Sequence, residues 1–309
     1  MPRSPTLPVL ALTFNAFVWG TSWWPMRRLG AEGLHPLWAT ALIFALAAAL
    51  IAALRPRALA QLRRTPALWV IVLASGTTNA AFNWAVVVGD VVRVVLLFYL
   101  MPLWTVLLAR LLLGERLSAH AGLRVALGLA GAAVVLWPQD AAGLAALPIP
   151  RTLADWLGVL GGFSFALNNV MLRREAARPE EGRALAMFVG GAVVAGALAT
   201  ALATHDASLW PPAPSPRWVW LALALGALFL AGNLSLQYGA ARLSANATAV
   251  VMLTEVIFAS LSAVLIGGET LSAPLLVGGG LIACAAALAA LTPPGGAAPR
   301  TLAARRCAR

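Results

Sequence analysis

Ten apolar runs, each about twenty residues long and separated from the next by proline, glycine or charge, take up most of this 309-residue chain. Their approximate limits are 7–26, 34–54, 66–88, 91–113, 119–137, 153–172, 183–204, 217–239, 244–266 and 272–292. A hydrocarbon core about 30 Å thick is crossed by roughly 20 residues of helix, so each run is long enough for one span. Strands of an outer-membrane barrel would alternate in polarity, and these runs do not. The sequence predicts an all-α integral membrane protein with ten transmembrane helices.

Composition removes the alternatives. The chain is 61% apolar and 11% charged, whereas a soluble chain carries roughly 45–50% and about 25%. It lacks the charge to cover a water-facing surface, which excludes a soluble enzyme, a disordered regulator and a secreted disulfide scaffold. The net charge of +11 then belongs to the membrane and not to a nucleic acid. All 22 basic residues are arginine, as expected of an Ala-, Gly- and Pro-rich chain from a GC-rich genome. Cys284 and Cys307 form neither a disulfide framework nor a metal-ligand cluster. The first run contains Trp19, Trp23 and Trp24 and no small-residue cleavage site, so it reads as a retained helix and not a signal peptide.

Orientation follows from the arginines, because basic loops stay cytoplasmic during insertion. With the N-terminus inside, 15 arginines fall in inner segments, among them Arg55, Arg57, Arg63, Arg64, Arg173, Arg174, Arg178 and Arg183. Only 5 fall outside, at Arg27, Arg28, Arg93, Arg151 and Arg217. Both termini are expected in the cytoplasm, with the chain in the bacterial inner (plasma) membrane as a multi-pass protein.

The chain also repeats itself. LLGERLS at 112–118 returns as IGGETLS at 266–272, so Gly114, Glu115, Leu117 and Ser118 meet Gly268, Glu269, Leu271 and Ser272. At the same offset Asn79 meets Asn233 and Trp84 meets Tyr238. AFVWGTSWWPMRR at 16–28 lies over GFSFALNNVMLRR at 162–174, with the arginine pairs in register. Each copy holds five spans, and an odd number makes the second enter from the opposite side. The expected organisation is two inverted five-helix repeats at 7–137 and 153–292, a Pro- and Ala-rich linker at 138–152, and a basic cytoplasmic tail at 293–309. Inverted repeats are a recurring mark of transporters, whose substrate site lies at the repeat interface near the midplane.

WGTSWW in the first span, Pro102 in the fourth, LLGERLS after it and TEVIFASLSAVLIGGETLS in the second copy resemble the EamA repeats of the drug/metabolite transporter superfamily. The resemblance covers about residues 7–292. Where that family often has Glu-Pro in the second repeat, this chain has Glu255-Val256. The resemblance implies a ten-helix basket whose cavity is lined by helices one, three, four, six, eight and nine. It also implies secondary transport of small metabolites, often amino acids or amines, without ATP. The chain has no G-x-x-x-x-G-K-[ST] phosphate loop.

Polar groups inside the apolar runs are the candidate site, because each must face protein or water. Glu255 is the only acid deep in any run, and burying it costs at least about 2.5 kcal/mol on insertion scales. It is read as a coupling or recognition residue that carries a proton or pairs with a substrate ammonium, against the plainer role of tying helix nine to its neighbours. Arg93 offers a fork that clamps a carboxylate bidentately, or it pairs with Asp90 at i, i+3. Arg110 reads as a snorkelling anchor. The amides Asn15, Asn79, Asn83, Asn168 and Asn233 are read as substrate-binding, or else as interhelical hydrogen bonds of about 0.6 kcal/mol each. Asn79 and Asn83 share a face, as do Asn233 and Gln237. Trp19, Tyr99, Trp104 and Tyr238 lie at middle depth, where they build an aromatic box or pack as core; Trp19, Tyr99 and Tyr238 join the candidate substrate-binding set.

The reading that joins these features is an exporter or exchanger of small metabolites working by alternating access. An intramembrane enzyme would need paired acids or a base beside a nucleophile, but His35, His120 and His205 all lie near span ends. A sensor or scaffold is a second alternative, and a sugar-phosphate or nucleotide-sugar exchanger a third, disfavoured by the shortage of cavity arginines. No enzymatic activity, cofactor or metal is expected. The expected partners are a small-molecule substrate and the lipid bilayer, and the working unit is compatible with a monomer.

Overall fold

Helix underlies the described part of each of the ten apolar runs. The computed structural model describes residues 6–114, 119–137, 149–175, 177–240, 251–252 and 254–291. Glu115 to Ser118, linker residues 138–148, residues 241–250 of the ninth run and the tail at 293–309 lie outside the described residues. Among the described residues there are thirteen α-helices, one short 3-10 helix at Ala207–Leu209, and no strand. The α-helices are α1 (Thr6–Thr21), α2 (Trp23–Ala31), α3 (Pro36–Leu54), α4 (Arg57–Arg64), α5 (Pro66–Val88), α6 (Val91–Phe98), α7 (Met101–Leu113), α8 (Ala119–Leu136), α9 (Leu153–Arg174), α10 (Glu180–His205), α11 (Pro216–Ala240), α12 (Thr254–Leu265) and α13 (Ala273–Leu291).

Among the described residues, five stretches are long and apolar enough to cross a membrane: α3, α5, α6 with α7 taken together, α10, and Pro216–Leu236 of α11. Their surfaces suit lipid. Leu42, Leu46, Leu50 and Leu54 recur at i, i+4 down α3 and are between 42% and 68% exposed. A soluble monomer seldom shows so continuous an apolar stripe.

Proline breaks two of the runs. A helical proline cannot donate to the carbonyl four residues before it, so Pro25 leaves Thr21 without its donor at the junction of α1 and α2. The Ser22 hydroxyl donates to the Trp19 carbonyl there, at 2.9 Å. Pro102, in the first turn of α7, likewise has no N–H for the Phe98 carbonyl, and α6 ends at that residue. Tyr99 and Leu100 form the turn between the two halves of the fourth run. Between α3 and α5 lies α4, an amphipathic turn pair whose Ala58 and Leu62 are buried while Arg63 and Arg64 are exposed.

The repeated motif has a backbone reason. Gly114 and Gly268 both adopt the left-handed region, at φ of 69° and 68°. Glycine enters that region without the steric cost other residues incur, and it ends α7 in one copy and follows α12 in the other. Around Gly268 the Glu269 N–H donates to the Ala263 carbonyl at 3.0 Å, a bond that turns the chain back on its helix. The following glutamate is thereby delivered beside the helix end.

Every one of the most extensive helix contacts joins one repeat to the other: α5 with α9 and α10, α3 with α10, α8 with α13, and α1 with α11 and α12. Glycine permits the closest of these. A methyl group at Gly190 of α10 would sit 2.2 Å from the Val72 carbonyl oxygen of α5. Gly131 and Gly278 approach each other in the same way between α8 and α13. Gly158 and Gly162 likewise lie close against the backbone of α6.

Candidate functional site

Glu255, the second residue of α12, is 8% exposed. The Tyr99 hydroxyl, at the break between α6 and α7, lies 3.1 Å from its Oε2 and 3.1 Å from the Met252 carbonyl oxygen. Its single proton is shared between the two acceptors. Asn15 of α1 points its amide nitrogen at the Met252 sulfur, 3.5 Å away. A methyl group at Gly20 would lie 2.7 Å from the Glu255 carbonyl oxygen, so α1 and α12 touch backbone to backbone. Segments far apart in sequence thus meet around Glu255, whose carboxylate contacts Tyr99 and whose backbone contacts α1.

A chain of aromatic rings joins this cluster at Tyr99. Trp19 stacks on Phe229 with centroids 4.6 Å apart and planes 14° apart, and meets Phe82 edge-on at 6.3 Å. Phe98 continues the chain, 5.0 Å from Phe82, 5.4 Å from Phe165 and 6.3 Å from Tyr99. Edge-to-face pairs at these separations are favourable beyond the area they bury. Trp104 meets Phe163 edge-on.

The amides separate into two groups. Asn79 donates to Ser75 of its own helix at 2.8 Å, while Asn83 donates to the Thr40 hydroxyl of α3 at 3.0 Å. Both are buried and both bind protein. Asn168 is buried in α9 and donates to Asn169 at 3.4 Å. The carbonyl oxygens of Asn15, Asn83 and Asn168 are buried without a hydrogen-bond partner among the described residues. Asn233 and Tyr238 are half-buried on α11, so Asn233 is less enclosed than its repeat counterpart Asn79.

Charge gathers at one end of the bundle, called here the Gly89 end. Arg27 of α2 donates to Gly89 O at 2.6 Å, to Val86 O at 3.0 Å and to Glu269 Oε1 at 3.2 Å. Glu269 also accepts the Val91 N–H at 3.1 Å and the Val92 N–H at 3.4 Å, the first donors of α6. Arg93 donates to Asp155 Oδ1 at 2.6 Å, to Asp155 Oδ2 at 3.1 Å and to Val135 O at 2.8 Å. Asp155 lies in a capping box with Thr152. Beside Arg27 is a cavity of about 420 Å³ bordered also by Gly33, His35, Val87 and Leu209. Burial holds the His35 imidazole below its ordinary pKa, and its neutral Nδ1 accepts the Leu37 N–H.

Residues 6–137 and 152–291 each match the EamA-like transporter family. The chain belongs to that family. As an EamA-like transporter it is a multi-pass membrane protein of the drug/metabolite transporter superfamily, a family of transporters and not of enzymes. No curated protein matches the chain. One solved structure, described only as a protein crystal structure, is 23% identical over 99% of this chain and 100% of its own, with a TM-score of 0.57. That likeness concerns the fold.

Within this transporter the sequence reading of Arg93 needs correction. The i, i+3 spacing suggested an Asp90–Arg93 ion pair, but the Asp90 carboxylate caps α6 by accepting the Arg93 backbone N–H at 2.7 Å. The guanidinium reaches Asp155, 62 residues away, and both of its carboxylate oxygens. A clamp for substrate carboxylate would have to displace that acid. Arg27, Asp155 and Glu269 went unassigned in the sequence because their partners are distant. The signals were there: T-x-x-D at a helix start and the twice-used Gly-Glu.

Asp155→Asn is expected to lower the stability of the purified transporter by about 2 kcal/mol, since it leaves a half-buried guanidinium without its counter-charge. Thermal unfolding in detergent measures this, and an unchanged midpoint would make the pair a surface contact.

Proposed function

We propose that this EamA-like transporter is a secondary exporter or exchanger of small metabolites such as amino acids or amines, working by alternating access around Glu255. In this reading ten spans form two inverted repeats in a bacterial inner membrane, with both termini cytoplasmic and the Gly89 end outward. The observation that carries it is the Glu255–Tyr99 contact. A carboxylate of one repeat meets, in a buried place, a phenol at the proline break of the other. Discontinuous helices at a repeat interface are where transporters of this kind bind their ligands.

Asn15, Trp19, Tyr99 and Glu255 form the proposed core of the site. Asn168, Asn233 and Tyr238 extend it, while the bonds of Asn79 and Asn83 suit helix packing. The cluster offers a carboxylate and amide oxygens, and the cations Arg27 and Arg93 are occupied by acids elsewhere. A ligand rich in donors matches that set, which favours an ammonium group beside an apolar body and disfavours phosphorylated substrates.

The test is uptake into liposomes of a panel of labelled amino acids and small amines, with and without an imposed pH gradient. Transport of at least one amine-bearing compound above protein-free liposomes is expected. Silence across the panel with folded protein would count against this substrate class.

A further inference from the structure

Four segments wall the recess beside Arg27: α2 with the turn after it, the first turn of α3, the end of α5 and the short helix at Ala207–Leu209. Glycine leaves room for it. Gly33, at φ of 86°, turns the chain from α2 toward α3, a conformation that other residues reach only at a steric cost. A methyl group at Gly30 would lie 3.7 Å from Val87, an ordinary contact, so the side of α2 there is bare without being crowded. Trp38 holds the wall at Leu209, since its Nε1 donates to the Leu209 carbonyl at 3.0 Å and its ring stacks on Trp210. At about 420 Å³ the recess falls within the usual size of ligand pockets, roughly 300–1,000 Å³.

Its unpaired polar groups are donors. The Nε and Nη2 groups of Arg27 serve Val86, Gly89 and Glu269. Nη1 has no partner among the described residues and is not sealed from solvent. His35 accepts the Leu37 N–H on Nδ1, which puts its ring proton on Nε2. That N–H is likewise unpartnered among the described residues and open to solvent. Trp84 meets the imidazole edge-on, with centroids 5.3 Å apart, and orients the ring. Ser208 donates its hydroxyl to Asp206, while Val87, Pro36 and Leu209 supply apolar surface.

The charge balance sets the ligand. Glu269 already answers part of the Arg27 charge, and the exposed Asp206 carboxylate stands next to the Ser208 wall. A dianion would meet too little positive charge, whereas a single carboxylate has one oxygen for each free donor. We propose that the recess bordered by Arg27 and His35 is a second ligand site, which takes a small monocarboxylate on Arg27 Nη1 and His35 Nε2 with a short apolar body against Val87 and Leu209. Its border shares no residue with the Glu255 cluster, and binding there does not depend on what the central site carries.

The chain has three histidines, so histidine-selective isotope labelling gives three ring signals by NMR in detergent micelles. His35→Gln assigns the one that matters. Propionate, at constant ionic strength, is expected to shift the His35 signal saturably and to leave those of His120 and His205 in place. It should also raise the pH at which His35 titrates, because an adjacent anion favours the imidazolium. Gly30→Leu, which fills the recess and removes neither donor, is expected to weaken this binding by about tenfold, or 1.4 kcal/mol. Should that variant fail to fold, Arg27→Lys, which keeps the charge and loses the Nη1 donor, decides in the same way. Equal affinity in the variant, movement of all three signals together, or the same shift with propylamine would each overturn the proposal. The titration is repeated in nanodiscs of zwitterionic lipid, without and with phosphatidylglycerol. Displacement of propionate by the anionic lipid would assign the recess to a headgroup and overturn the small carboxylate; undiminished binding supports it.

Discussion

Glu255→Gln is expected to reduce gradient-driven uptake by roughly tenfold to a hundredfold while leaving the protein folded. Glutamine keeps the shape and can still accept from Tyr99, but it can neither carry a proton nor pair with an ammonium. The loss corresponds to one charge-assisted hydrogen bond, about 1.5–3 kcal/mol. Folding should be unaffected or slightly improved, because a neutral amide is less costly at membrane depth than a carboxylate. Initial rates of uptake under an imposed pH gradient, compared with the thermal midpoint of the same preparation, separate the two effects. Equal uptake by the variant would assign Glu255 to holding α12 against Tyr99 and move the search to Asn15 and the unpartnered amide oxygens.

Gly190→Val is expected to abolish recovery of folded protein. Added methylenes in a packed core usually cost about 1–3 kcal/mol because side chains can shift. Here the obstacle is the Val72 carbonyl oxygen, 2.2 Å from where the first added carbon would sit. Backbone yields only if α5 and α10 separate, and α5 is also packed against α9. A penalty above about 4 kcal/mol follows, in the range that unfolds a marginal protein. Gly280→Ala is the comparison, since a methyl group there meets nothing within 4 Å. Monodisperse yield by size-exclusion chromatography measures both, and equal yields would mean that α5 and α10 are not so close.

The apolar runs were legible because they obey a local rule, the length of helix that spans lipid. Gly114 and Gly268 were legible as a repeat, but not as left-handed turns, since a motif does not carry its own φ. Arg93 shows where local reading fails. The i, i+3 rule sees Asp90 and is blind to Asp155, which reaches Arg93 only after α9 has packed along α6. Tyr99 and Glu255 were each singled out for depth, and their meeting, across 156 positions, is a product of the fold. The helix in residues 57–64 was hidden by its arginines, which make a short amphipathic segment read as loop.

That the extensive contacts run between repeats and not within them has a consequence for synthesis. The first five apolar segments leave the ribosome with their glycine faces unmatched and with the acids that Arg27 and Arg93 bind still unmade. At about 5–20 residues per second, the second half follows over roughly ten to thirty seconds. During that interval the nascent half sits in the bilayer with nothing complementary beside it, except the same half of another chain. The apolar surroundings do not penalise such waiting as water would, which is what permits a protein to be assembled from two interlocked parts delivered in sequence. Two separately encoded halves should for the same reason be able to find each other in one membrane, because the covalent link between them supplies proximity and not the mutual fit.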